Sequence, residues 1–492
     1  MEHQDELYLL IKSLTKGEKK FFSQYVNLYE KSSSHTYSLL FDFLNNEDSY
    51  SEERVFKKFR DPLFRKNYSV TKHYLKNLII KTLRHSELTF REDRDLTVYL
   101  VDIKRLMAKG LFGMAKKMIE KLKADAYNDE KFLDVINTIA MQRGLISMGY
   151  YKGQPEINLD ALDKEEELLF EKIKQLRNLM NSSIKLFGLM NYELGENPDK
   201  VTKEIEALGQ MEGEEHFDEL QSAKAKHSYL QFHTLYHCAL GNYPKYLEYA
   251  NKKLEFVRHE KLPPTVSNWL ILAYNHCLSA SLLSNELGDM EQRLHFLEGM
   301  ELHSHFHDAD RFQAVSMYGL LYSIKINDEV KIRHYVTYSL SGIQHHAAFI
   351  RTGFVYTLRS TVAYAYLKLK DFDKCMDEIN ELLSLTGTET RKDYVGHVKL
   401  INVMLRYEME DYMYLTNLLK NTYRFFSHSL YTSPVHLFVI GYLKDALKTK
   451  HGRNETELKR LNLDKLRQLR YNPKEADLAL MLMMEDHLRG SK

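Results

Sequence analysis

Turn-forming residues are scarce in this chain of 492 residues, which has 21 glycines and 8 prolines. Both fall well below the usual share, so long irregular loops and dense tight turns are excluded. Cysteine is rarer still. Cys238, Cys277 and Cys375 are odd in number and far apart, which rules out a disulfide framework and a CxxC metal pair. They read as reduced, buried small residues. Tryptophan occurs once, at Trp269. No charge sign dominates: 69 Lys and Arg face 68 Asp and Glu, a net charge of +1, so nothing pulls the whole chain toward nucleic acid or anionic membrane. Long hydrophobic runs are absent, the most continuous being Leu437 to Leu443 and Ala479 to Met484, far short of a spanning helix. The acidic start, Met1 to Glu6, lacks the basic and apolar regions of a secretory signal, so a cytoplasmic protein is expected.

Enzyme signatures are also missing. No two glycines stand two apart, no Gly-Lys dipeptide occurs, and neither HExxH nor GxSxG is present. Dinucleotide loops, phosphate loops, zincin helices and nucleophile elbows are therefore excluded. No catalytic, cofactor or metal site is expected.

What is present is a repeated turn. Leu240-Gly241-Asn242-Tyr243 interrupts an apolar helical pattern that restarts at once through Tyr246 and Ala250. Related turns stand at Gly110, Gly149, Gly195, Gly288, Asn327, Lys370 and Glu410, with intervals of 39 to 47 residues. Segments between them keep helical spacing, as in Cys375, Ile379 and Leu382, and none alternates as a half-buried strand does. One helical hairpin per repeat cannot bury its own apolar face, so the hairpins must stack. The fold class is all-α.

The turn with Gly241, Tyr243, Tyr246 and Ala250 resembles the mid-hairpin turn of tetratricopeptide repeats. So do Phe372, Cys375, Ile379 and Leu382, and Phe112, Ala115, Ile119 and Leu122. The resemblance covers about residues 92 to 430, with a period longer than the family's. It implies a right-handed α-α superhelix of about eight hairpins. The whole chain also resembles a group of bacterial helical-repeat proteins, which implies no activity. Residues 1–90 read as an N-terminal helical cap, 91–430 as the repeats and 431–492 as a C-terminal helical cap. Within the first, Thr15-Lys16-Gly17-Glu18 is a capping box.

In the family, first helices of the hairpins line a concave groove for extended peptides or partner helices. Carried over by turn register, its inward positions fall on Gln231, Asn275, Asn285, Ser360, Tyr364, Lys368, His397 and Tyr407. The resemblance therefore implies a non-enzymatic scaffold that binds a protein or peptide partner.

Three charged or histidine-rich segments invite other readings. A basic run holds Arg54, Lys57, Lys58, Arg60, Arg65, Lys66, Lys72, Lys76, Lys81 and Arg84 against the single acid Asp61. Such a run with interleaved aromatics could contact phosphates, making the protein a regulator with nucleic-acid contact; the other reading is a solvated or acid-paired face. Residues 193–219 hold ten acids against Lys200 and Lys203. The cluster His303 to Asp310 places His303 and His307 one turn apart if helical, but the spacing makes it a polar segment between hairpins, with Asp308 or Asp310 as a cap. An enzyme with a groove site that no motif reveals is the remaining alternative.

Overall fold

The computed structural model describes residues 5–29, 34–47, 49–90, 96–154, 156–190, 198–211, 213, 217–259, 267–302, 304–384, 392–427, 434–449, 455–470 and 478–489. Among the described residues there are twenty-four helices and no strand. The chain divides into two compact units: residues 1–126 with 137–155, and residues 127–136 with 156–492.

The first unit begins with α1 (Glu6–Ser13), α2 (Lys16–Tyr29), α3 (Ser34–Asn46), α4 (Glu52–Lys58), α5 (Pro62–Lys66) and α6 (Tyr68–Phe90). Four of these starts have a chemical cause in the described residues. Asp5 accepts from the amides of Leu7 and Tyr8, and Ser51 accepts from that of Arg54. Asp61 accepts from Leu63 N, with Pro62 at the first helical position. The capping box is formed: Thr15 N donates to Glu18 Oε2 at 2.7 Å and Glu18 N to Thr15 Oγ1 at 3.2 Å. Leu7, Ile11, Phe22, Val26, Leu40, Leu44, Val55, Leu75 and Ile79 close one core. Three further helices follow, α7 (Leu96–Ala108), α8 (Phe112–Asn128) and α9 (Phe132–Ser147), the last two each contributing residues to both units.

The second unit continues with α10 (Leu159–Gly188), α11 (Pro198–Met211), α12 (Ala223–Ala239), α13 (Tyr243–His259), α14 (Ser267–Ser284) and α15 (Met290–Glu298). Next come α16 (His305–Lys325), α17 (Glu329–His345), α18 (Thr352–Lys368), α19 (Phe372–Ser384), α20 (Lys392–Glu408) and α21 (Tyr412–Ser427). It ends with α22 (Pro434–Thr449), α23 (Glu455–Arg470) and α24 (Leu478–Arg489). Helices α12 to α21 pair as five consecutive hairpins, and each second helix packs on the first helix of the next pair. First helices also pack on one another, α14 on α16, α16 on α18, α18 on α20 and α20 on α22. This neighbour-on-neighbour packing fits a helical repeat solenoid. Helices on both sides of residue 430 share one apolar core, and helices on both sides of residue 90 lie in the first unit.

The repeated turn has one chemistry. Gly110, Gly149, Gly241, Asn327, Lys370 and Glu410 all take positive φ, between 57° and 79°. At each, the left-handed residue donates three residues back and the next amide five residues back. Asn327 N to Ile324 O and Asp328 N to Ser323 O, both 3.1 Å, are one instance. The last carbonyls of the ending helix are thereby satisfied. At three of these turns in the second unit the next residue also caps the following helix: Asp328 accepts from Lys331 N, Asp411 from Tyr414 N and Asn242 from Lys245 N.

The turn expected at Gly288 differs, because the left-handed residue is Asn285 (φ 66°) and Glu286 N makes the return bond to Ser281 O. Four residues then intervene before α15, and Asp289 makes no side-chain cap bond. With Asn285 as the reference, the left-handed residues from Gly241 onward recur every 40 to 44 residues. The turn expected at Gly195 lies outside the described residues. A left-handed residue that the repeat pattern did not flag, Glu130 (φ 50°), sends its carboxylate to the amides of Ala223 and Lys224, both at 2.7 Å, and so caps α12 beside Ser222.

Other glycines serve close packing. A Cβ on Gly319 would collide with the Tyr335 ring, one on Gly342 with Phe312, and one on Gly396 with Phe426. Replacing Lys370, exposed and left-handed, by glycine removes its Cβ penalty and should stabilise the chain by about 1 kcal/mol. Gly342→Ala forces the Phe312 ring away and should destabilise it by about 1–3 kcal/mol. Urea midpoints at constant slope check both.

Candidate functional site

The row of first helices in the second unit carries a helix of its own chain. Residues Leu480, Met481, Leu482, Met483, Met484 and Leu488 of α24 are all buried. A helix apolar on every side needs neighbours on every side, and α24 packs on α16, α18, α22 and α23. The two acids that follow the apolar run are held by bases of the row. Lys325 Nζ lies 3.2 Å from Glu485 Oε2, their side chains 6% and 7% exposed, and Lys368 Nζ lies 2.9 Å from Asp486 Oδ1. The Tyr364 hydroxyl is within hydrogen-bond reach of Asp486 Oδ2 (2.9 Å) and Met483 O (2.7 Å). Burial, with the Asp486 charge second, pushes the Tyr364 hydroxyl well above its ordinary pKa, so it stays a donor. His487 lies edge-on to Tyr407 (6.2 Å) and Tyr442 (5.8 Å), its Nδ1 3.6 Å from the Glu408 carboxylate. Arg489 also pairs with Glu485 at 2.6 Å.

Of the eight residues inferred to line a groove, Tyr364, Lys368 and Tyr407 therefore surround α24. The other five are elsewhere. Ser360 Oγ donates to Tyr356 O within its own helix, and the His397 ring lies 5.2 Å from that of His436, between α20 and α22. Asn285 is the left-handed turn residue described above. Gln231 belongs to a buried polar chain between α12, α13 and α14. Asn275, half-buried on α14, has an Oδ1 with no partner among the described residues. Lys325, Glu408, Glu485 and Asp486 were not flagged by the sequence. Their one local signal is an acid pair placed directly after an unbroken apolar run.

The buried chain runs from Lys253, fully enclosed, which donates to Gln231 Oε1. The Gln231 amide lies 3.4 Å from His276 Nε2, and Tyr246 OH lies 3.2 Å from His276 Nδ1. Burial brings Lys253 down to about 7, and burial with the Lys253 charge second brings His227 down to about 3. The His227 ring stacks on Trp269 at 3.7 Å and 6°. These hydrogen bonds pair polar groups between packed helices. The three thiols are likewise free and raised by burial, to about 12, 11 and 12 for Cys238, Cys277 and Cys375.

The basic run of the first unit is in part acid-paired. Lys72 meets Asp5 at 2.6 Å, Lys76 meets Glu6 at 2.5 Å and Arg54 meets Glu47 at 2.8 Å. Arg65 lies over the Phe56 ring and Lys81 over that of Tyr25. Lys57, Lys58, Arg60, Lys66 and Arg84 are exposed. Of the acidic segment, Glu193, Glu196, Asp199, Glu212, Glu214 and Glu215 have side chains outside the described residues, and Glu204 pairs with Lys200 at 3.7 Å. In the histidine cluster, His303 lies outside the described residues. The cap is Ser304, which accepts from His307 N, so α16 starts earlier than expected and Asp308 sits in its first turn.

No known protein family, curated protein or solved structure matches this chain. Among the described residues, no helix is long and apolar enough to cross a membrane.

A histidine held neutral by burial disfavours acid. The unfolded chain protonates His227 near its ordinary value while the folded one resists until about pH 3, so stability falls as pH drops from about 6.5 to 3. Urea midpoints followed by Trp269 fluorescence should fall over that window, and His227→Phe, which keeps a ring on Trp269, should flatten the decline.

Proposed function

We propose that the second unit is a non-enzymatic scaffold that binds a helix of a partner protein on its row of first helices. The reading includes a right-handed, tetratricopeptide-like superhelix of about eight hairpins, with that row on the concave side. The observation that carries it is the seat of α24. Lys325, Lys368 and Tyr364 hold an apolar helix that ends in an acid pair. A partner of the same chemistry, an apolar helical segment followed by Glu or Asp, meets the same bases, and α24 holds the place until it is exchanged. The free thiols, of which Cys277 and Cys375 are buried, fit a reducing compartment such as the cytoplasm.

The test uses the full chain and a labelled peptide of residues 478–489. Removing one partner of a buried ion pair costs about 3–5 kcal/mol, so E485K/D486K should release α24 from its seat. That variant should bind the peptide at least tenfold more tightly than wild type in fluorescence anisotropy. Adding K325E/K368E should abolish the gain. If the folded E485K/D486K chain binds the peptide no better than wild type, exchange at this seat is wrong.

A further inference from the structure

Two histidine-bearing segments about forty residues apart in the chain meet at one end of the α16–α17 hairpin. Asp308 lies in the first turn of α16, and His345 and His346 end α17. One donor atom from each of the three lies within 4.8 Å of the other two. The antiparallel pairing of the two helices brings the start of one beside the end of the other. The site is preorganised on one side. The His346 ring, buried, stacks on Phe312 at 4.9 Å, and Phe312 in turn rests on Gly342, where no side chain fits. The His345 ring stands edge-on to that of His346 at 4.7 Å and 88°. Neither imidazole makes a hydrogen bond to a described residue. Around the three, His305 stacks on Phe349 at 6.1 Å, which places a third imidazole by the end of the same helix.

We propose that Asp308, His345 and His346 form a binding site for a borderline divalent transition-metal ion of the zinc class. Two imidazoles and one carboxylate are the donor set that such ions prefer over calcium or magnesium, with remaining positions open to water or a fourth ligand. Neutral imidazole is the ligating form, so binding should weaken as the solution is acidified. The ion has one resident competitor, Arg311, whose Nη2 lies 2.6 Å from Asp308 Oδ1 while Nη1 donates to the carbonyls of Glu298 and Met300. Metal binding must draw the carboxylate from that guanidinium or use its other oxygen. The site is thus distinct from the helix seat and independent of it.

The experiment titrates Co2+ into the full chain and follows both heat and visible absorption, since cobalt in a low-coordinate nitrogen–oxygen site absorbs far more strongly than the hexaaquo ion. One equivalent should bind with a visible band, and Zn2+ should displace it. H345A, at an exposed position that leaves packing intact, and D308N should each weaken binding at least tenfold and remove the band. R311Q should tighten it severalfold. The absence of a band in wild type, or a band untouched by H345A, overturns the site, the latter by assigning the metal to other histidines.

Discussion

A two-residue turn governs the second unit: one residue in the left-handed region closes a helix, and the next caps its successor. Asn327 with Asp328, Lys370 with Asp371 and Glu410 with Asp411 repeat the same pair of backward amide bonds. The left-handed residue reverses the chain within one step, so the second helix lies against the first rather than beyond it. Because the turn has no spare residues, it transmits register. A change of one residue in it would rotate the next helix by about 100° and carry its apolar stripe off the neighbour. At Asn285 the connection is longer, and there the cap bond is lost, although the 40-to-44-residue recurrence survives. Non-glycine residues occupy the costly position at four of these turns, so packing must offset roughly 1 kcal/mol at each.

That register sets the first helices side by side and makes a surface on which α24 lies. Burying the five apolar residues Leu480 to Met484 contributes on the order of 10 kcal/mol, at about 1.5–3 kcal/mol per side chain. The ion pairs Lys325–Glu485 and Lys368–Asp486 add little net, since both charges give up water to form them. Their effect is on position. An apolar helix alone could slide or rotate on an apolar row, whereas a shift of one residue would part Glu485 from Lys325 and Asp486 from Lys368. Attraction and placement are therefore supplied by different residues, which is what allows another helix with the same ending to use the same seat.

The all-helical class, the capping box at Thr15 and six of the turn positions could be read from the chain, because each depends on residues within five positions of one another. The seat of α24 could not. Lys325 and Glu485 are 160 residues apart, and nothing near either one announces the other. Tyr364, Lys368 and Tyr407 were reached through turn register, which carries angular information along a helix; register says which way a side chain faces and not what faces it. Gln231 shows the limit: its direction led to a groove reading, while its partner Lys253 on the next helix draws it into the interior. Asp308 and Asp310 suit a cap by residue type, yet the Ser304 hydroxyl is the group that reaches the His307 amide. Glu130 caps a helix 93 residues away, again outside any local pattern.

Histidine is where composition and structure connect most directly. Several of the 22 imidazoles serve as flat spacers between helices: His227 on Trp269, His233 and His237 on Tyr249, His346 on Phe312 and His436 on Phe426. A ring of this size fills space between helices, and it stacks on the aromatic residues that are abundant here. At His227 and His346 burial also holds the ring below its ordinary pKa. Acid would therefore place a charge between packed helices at these two positions. The His345–His346 pair departs from this pattern. One ring is stacked and enclosed, the other is exposed, and a carboxylate stands within reach of both. A spacer needs only one ring and no acid, so packing accounts for His346 and leaves His345 and its approach to Asp308 to be explained by what the three can hold together.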